Sequence, residues 1–377
     1  MGKLGLYARL IFAIALLFAI IYGLLVLIAY FMGYAQPIVL AVLAAFIIIL
    51  QYVMSPKIVE MTMRVRYIKK EDMPRLYSMV EKLAKEANIP MPKVGIAEIE
   101  LPNAFAFGRS VRDGRVCVTR GLLKILNDEE LEAVLGHEIS HLKHRDMAII
   151  TMLSVIPLIC YLAFWSLLWG RRRDSSSSAL AFLAFIIYFI TNLIVLYVSR
   201  IREYYADQFS AQKTGDPNLL SSALIKIAYG IAVVPDTEKT ARLLNTTRAL
   251  GIFDVKAAKD VGLVYQVSAG KKELIERALL YDLVNPWATL LELKSTHPLV
   301  GKRIRALCEL TENPAFRFDT IKRDIDKKKL YGGFFKDLMV KYSTGILIVL
   351  LILSLAMDYY FNKNFTVALP LLAIFYI

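Results

Sequence analysis

Long stretches without a charged residue divide this sequence at residues 10–32, 37–54, 147–169 and 179–199. About 18 or more apolar residues in a helix are enough to cross roughly 30 Å of hydrocarbon, so each stretch predicts a membrane span. They also account for the composition, 57% hydrophobic types with positive mean hydropathy, which exceeds the usual share of about 45–50% in soluble domains. A shorter run at 342–357 predicts one further span, and residues 365–377 leave the tail between one span and two. The first run is too long for a secretory signal and is followed by a second run with no small-residue cleavage site between them, so it reads as a retained anchor.

Each pair of runs forms a hairpin that returns the chain to the side it left. The polar segments therefore share a face, and five regions follow. They are an N-terminal transmembrane hairpin (1–54), the first part of a catalytic domain (55–146), a second hairpin (147–199), the second part of that domain (200–341) and C-terminal span or spans (342–377). Lys3, Arg9, Lys57, Arg64, Arg66, Lys69, Lys70, Arg200 and Arg202 cluster at span ends on the shared face, which marks it as cytoplasmic. Arg171, Arg172 and Arg173 dissent, and they leave open a second hairpin that dips without crossing. The serines at 175–178 read as a flexible turn.

The net charge of +13 fits segments held against anionic lipid better than nucleic-acid binding, because no recognised nucleic-acid module accompanies it. Cys117, Cys160 and Cys308 have no paired spacing, so neither a disulfide framework nor a cysteine metal site follows. Within the first polar segment the periodicity predicts a helix over 72–87 and strands over 94–99 and 116–119.

The strongest chemical signal follows Asn127, which with Glu130 three residues on predicts a capping box. The helix it opens carries Gly136 and then His137, Glu138, Ile139, Ser140 and His141. Residues four apart differ by about 40° around a helix, so the two imidazoles share a face and can hold one zinc ion. Glu138, offset by about 100°, suits a base that meets the attacking water rather than the metal. Histidines on a polar face that bind nothing are the alternative, which capping, spacing and Gly136 disfavour. His144 lies on nearly the same helix as both ligands, and one straight helix does not wrap three ligands round an ion. It reads as a surface or supporting residue.

A catalytic zinc needs a third protein ligand. The zinc helix is expected to run on into the span beginning near Met147, so that His141 stands about six residues, roughly 9 Å, from the bilayer. The next span then returns Glu203 and Asp207 to that level. One carboxylate can bind the metal while the other fixes an imidazole, or both merely solvate a helix end rich in arginine. Spacing alone leaves the two readings open.

Several blocks together resemble one family, the HtpX-type membrane zinc metalloproteases, related more distantly to the CAAX prenyl endopeptidases. They are Asn103-Ala104-Phe105-Ala106 with Gly108, the run 118–123, His137 to His141 with Asp146, Arg200-x-x-Glu203-x-x-x-Asp207, and Thr296-His297-Pro298 with Arg303 and Ile304. The likeness covers most of residues 55–307. Arg120 departs from the smaller residue frequent in the family, and the C-terminal apolar runs lie beyond its usual four-span plan.

The resemblance implies a multi-pass α-helical membrane protein with a mostly α, small α+β zincin-like (gluzincin) catalytic domain on the cytoplasmic side. It implies one Zn2+ per chain held by His137, His141 and Glu203, with Glu138 as general base and Asp207 orienting a ligand. His297 and Arg303 are then expected near the substrate or the developing oxyanion, and Asn103, Ala104, Phe105 and Ala106 along the substrate. The expected activity is zinc-dependent endopeptidase cleavage of membrane or unfolded proteins at the cytoplasmic membrane surface, in protein quality control. Beside it stand a CAAX-type processing peptidase and a non-catalytic zinc-binding scaffold. The lipid bilayer is an expected partner, nucleic acid is not, and the oligomeric state is unspecified.

Overall fold

The structure is a computed structural model that describes residues 53–54, 56–169, 175–232, 272–318, 328 and 330–343. The expected spans at 10–32, 37–54 and 342–357 and the terminal run 365–377 lie wholly or almost wholly outside these residues.

A four-stranded sheet is built from β1 (Val65–Tyr67), β2 (Lys93–Ala97), β3 (Ala104–Phe107) and β4 (Arg115–Thr119), in the spatial order β1-β2-β4-β3. β2 and β4 are parallel, and the outer strands are antiparallel to their neighbours. Every residue of β3 and β4 is buried, matching the unbroken apolar character of most of that sequence. Helix α1 (Pro74–Ala87) starts with proline in its first turn and ends at Asn88 in the left-handed conformation, the usual start and stop chemistry of a helix.

Thr119 closes β4 and caps the short helix α2 (Arg120–Ile125). Its hydroxyl accepts from Leu122 N at 3.2 Å and Asn103 N at 2.9 Å and donates to Leu101 O at 2.7 Å. At Gly121 the Glu100 carbonyl approaches so closely that a Cβ would overlap it. Helix α3 (Asp128–Lys143) opens with the expected capping box between Asn127 and Glu130.

Helix α3 does not run on into the membrane segment. It ends at Lys143, Arg145 takes a positive φ of 57°, and α4 (Asp146–Leu153) starts afresh. The physical reason is visible in Asp146, whose carboxylate turns back to the His141 imidazole at 2.7 Å. A second break at Ser154 separates α4 from α5 (Val155–Trp169), where Pro157 has no N–H to give the Leu153 carbonyl.

Helix α6 (Ser175–Thr214) is 40 residues long, about 60 Å at 1.5 Å per residue. The serines at 175–178 form its first turn rather than a flexible turn. Serine has only a modest helix penalty, and the apolar run that follows propagates the helix back through them. Residues Asp146–Trp165 and Ala179–Thr214 are each long and apolar enough to cross a membrane; in α6 the apolar part ends at Ser199, where Arg200 begins a charged extension. The hairpin packs through Leu153, Ile156, Cys160, Ala163, Ala184, Val195, Val198 and Ile201.

Helix α7 (Pro217–Ala232) packs on α3, and α8 (Lys272–Val284), α9 (Pro286–Glu292) and α10 (Val300–Cys308) follow. The described residues are thus mostly helical with one small sheet. Two compact units partition the chain: Met1–Leu283 with Ala288–Arg323, and Val284–Trp287 with Asp324–Ile377. In the second, the Trp287 and Phe334 rings meet edge to face at 4.8 Å. The candidate site belongs to the first.

Candidate metal centre and active site

Helices α3 and α6 cross closely at Gly136, where a Cβ would meet the Ser210 Cα and Oγ at 3.4 Å, and the Ser210 hydroxyl donates to Ala133 O at 2.5 Å. That crossing sets the charged extension of α6 against the histidine face of α3. His137 Nε2 and His141 Nε2 are 3.1 Å apart, and each lies 3.4 Å from a Glu203 carboxylate oxygen. Among the described residues, His137, His141 and Glu203 form a group able to hold one ion, with ligand atoms within 4.8 Å of one another.

Both imidazoles are fixed from behind. His137 Nδ1 is 2.9 Å from Asp207 Oδ1, and His141 Nδ1 is 2.7 Å from Asp146 Oδ2. A carboxylate beside Nδ1 makes that nitrogen the protonated one and leaves the lone pair on Nε2. Two converging lone pairs and a carboxylate repel one another unless a cation or proton joins them. Glu203 Oε2 is buried and accepts no well-formed hydrogen bond. A divalent cation relieves all three groups, and one carboxylate with two imidazoles is a donor set that suits zinc.

Arg303 lies behind this group and is fully buried. It donates from Nε to Asp207 Oδ2 at 2.9 Å and from Nη2 to Asp207 Oδ1 at 2.5 Å, and its Nη1 lies 3.4 Å from Glu203 Oε2. Its guanidinium thus holds the carboxylates of α6 in place. His297 is 7% exposed, with Nε2 3.7 Å from Glu203 Oε1 and Nδ1 2.9 Å from the Thr296 hydroxyl. Its loop is clamped by Arg200, which donates to Glu292 O at 2.8 Å and Ser295 O at 2.7 Å, and by His297 N on Ser295 Oγ at 3.1 Å.

Burial and charge oppose each other here. Burial raises the Glu138 carboxyl above the usual carboxylate range, although His137 and His141 pull it down. For Glu203, burial pushes up, but His297, His137 and His141 outweigh it and the carboxyl is lowered. Asp207 is likewise lowered against burial, by Arg303 and His137. Burial lowers His297, and Arg303 adds to this against the pull of Glu203. Two neighbouring carboxylates thus part company, Glu203 held charged and Glu138 able to take up a proton.

Glu138 is 3% exposed and accepts a backbone hydrogen bond from Ala106. Because Thr119 N donates to Asn103 O across the β3–β4 pair, the alternation of an antiparallel ladder turns the backbone groups of Ala104 and Ala106 away from β4, where the Ala106 N–H meets Glu138. Asn103, Ala104, Phe105 and Ala106 therefore lie along the edge of the sheet next to Glu138. His144 caps α3 and turns to its own helix, with Nδ1 at 2.9 Å from Ser140 O, away from the metal group.

Asp146 and Arg202 take parts that sequence reasoning left without a role. Asp146 holds His141 and is itself ion-paired to Arg202, which also donates to His144 O at 3.1 Å. Asp146 stands only five residues past His141, but its use requires the left-handed turn at Arg145.

The profile of Peptidase family M48 matches residues 70–311. The chain is 52% identical over 226 residues to the Protease HtpX homolog of Methanothermobacter thermautotrophicus, covering 60% of this chain and 87% of that one. It is 34% identical over 329 residues to the Protease HtpX homolog of Thermococcus sibiricus, covering 84% and 99%. Among solved structures it is similar to S. mikatae Ste24p, with a TM-score of 0.45 and 16% identity over 81% of this chain and 67% of that one. With a paired-imidazole and carboxylate group already in place on α3 and α6, these matches show that the chain belongs to peptidase family M48 and is a metalloprotease of the HtpX type.

Proposed function

We propose that the protein is a membrane-embedded zinc endopeptidase that hydrolyses peptide bonds of membrane or unfolded proteins at the cytoplasmic surface. The convergence of His137, His141 and Glu203, with the Glu203 oxygen buried and unsatisfied, carries this reading. His137, His141 and Glu203 would hold the zinc ion, which when bound would supply Lewis acidity towards water and the scissile carbonyl. Glu138 takes the proton of the attacking water on its carboxylate and returns it to the leaving nitrogen, a task matched to its raised pKa. An extended substrate adds to the Ala104–Ala106 edge through backbone hydrogen bonds, which recognise peptide with little side-chain demand.

His297, held by its clamped loop, donates towards the developing oxyanion. Arg303 and Asp207 act through the ligands, fixing Glu203 and His137 rather than touching substrate. The apolar hairpin of α4, α5 and α6, continuous with the charged extension that carries Glu203, supports a site beside the bilayer, and the basic residues at the span ends support the cytoplasmic side. A location where chains emerge from the membrane suits quality control of damaged membrane proteins. The test is Glu138→Gln in purified protein, which is expected to retain zinc by metal analysis and to lose cleavage of an unfolded polypeptide. Undiminished cleavage would remove Glu138 from the mechanism.

A further inference from the structure

A cleft of about 880 Å³ opens beside the metal group and has His141 in its wall. Its rim contains Arg109, Arg112, Lys143 and Arg145, all exposed, and no Asp or Glu. Arg109 is paired with Asp113 at 2.8 Å. Lys143 lies over the Phe209 ring at 4.9 Å, a contact that leaves its charge uncompensated. Among the described residues no carboxylate is bonded to Arg112, Lys143 or Arg145, so the cleft carries an excess of positive charge.

The cleft also continues the substrate edge. β3 ends at Phe107, Gly108 bends away with a φ of 152°, and residues 108–112 then form one wall. A peptide strand paired along Ala104–Ala106 and read past Phe107 enters this space. Arg109, the first charged residue of the rim, follows Ala106, the backbone partner of Glu138, by three positions, so the rim lies a few residues along an extended peptide from the bond beside Glu138. Resting on the protease reading above, we propose that this cleft binds one flank of the substrate and selects polypeptide segments with acidic residues a few positions from the scissile bond. The direct opening onto a metal-ligand imidazole favours a polypeptide over a lipid headgroup, although Met147 and Ala148 place the cleft near the bilayer.

The test uses the full chain with Glu138→Gln, in detergent or uncharged nanodiscs, so that peptides stay intact. Labelled peptides carry an Asp-Glu-Asp block on the N-terminal or the C-terminal flank of a neutral core, and each has an Asn-Gln-Asn twin. Fluorescence anisotropy at low salt is expected to show one acidic peptide binding about tenfold tighter than its twin, as a few partly exposed ion pairs allow. The advantage should shrink in 0.5 M salt. It should fall towards onefold in Arg112→Gln/Lys143→Gln and invert in Arg112→Glu/Lys143→Glu.

Binding of both acidic peptides within twofold of their twins overturns the proposal, and so does an advantage that survives charge reversal. If charge reversal alters only binding to nanodiscs containing phosphatidylglycerol, an anionic headgroup occupies the cleft and the proposal is likewise overturned. Selective binding by a wild-type chain that cleaves neither peptide leaves the cleft assignment standing and sinks the protease chemistry instead.

Discussion

Asp207→Ala tests how the site is held together. In the protein Asp207 is 2% exposed, receives two donors from Arg303 and braces His137 Nδ1 at 2.9 Å. Without it the buried guanidinium keeps Glu203, at 3.4 Å, as its carboxylate neighbour. Breaking a buried pair from one side costs about 3–5 kcal/mol, because the surviving charge has lost its partner. Removing the carboxylate behind a ligand imidazole weakens metal binding about 10–100-fold, or roughly 1.4–2.7 kcal/mol.

The two losses are measured separately, the first by denaturant unfolding of chelator-treated protein in detergent and the second by zinc competition with a chromophoric chelator. Arg303→Met alone should be comparably destabilising, since it leaves two buried carboxylates facing each other. Because each single change exposes the same broken pair, the double variant should lose less than the sum, with a coupling of about 1–3 kcal/mol. Strict additivity, together with zinc affinity unchanged within twofold in Asp207→Ala, would refute the argument that Arg303 and Asp207 form one supporting unit.

Two further outcomes follow from residues away from the metal group. Burial pushes the Asp113 carboxyl up, but Arg109 and Arg115 outweigh it and hold it at about 2. A depressed folded-state pKa contributes stability that is fully present above the unfolded value near 4 and is lost as pH falls through about 2. Wild type and Asp113→Asn should therefore differ in unfolding midpoint at neutral pH and converge between pH 4 and 2, and a constant gap across that window would contradict the assignment. Gly121→Ala forces a Cβ onto the Glu100 carbonyl, so it should destabilise by roughly 1–3 kcal/mol, the usual cost of an overpacked site. A midpoint equal to wild type would mean that the Glu100 turn yields freely.

Much of the local structure was legible because it rests on neighbours in sequence. The capping box at Asn127 and Glu130, the shared face of His137 and His141, and the apolar stretches of α5 and α6 all follow from periodicity and short-range hydrogen bonding. Reading α3 straight into the membrane failed because the break at Arg145 is stabilised by a contact, Asp146 with His141, that propensity does not encode. The tetraserine composition at 175–178 resembles a linker, whereas the long apolar helix that follows recruits these serines as its first turn.

What the sequence by itself determined is the chemistry available, namely two imidazoles and a glutamate on one helix and a pair of carboxylates, Glu203 and Asp207, that begins 62 residues after His141. Spacing left two fates open for Glu203 and Asp207, metal site or solvated helix end. Only the packing of α3 against α6 at Gly136 separated them, burying both carboxylates against the histidines and Arg303. That decision belongs to tertiary structure because it depends on how closely two distant backbones approach, and on whether water or protein surrounds the charges once they do.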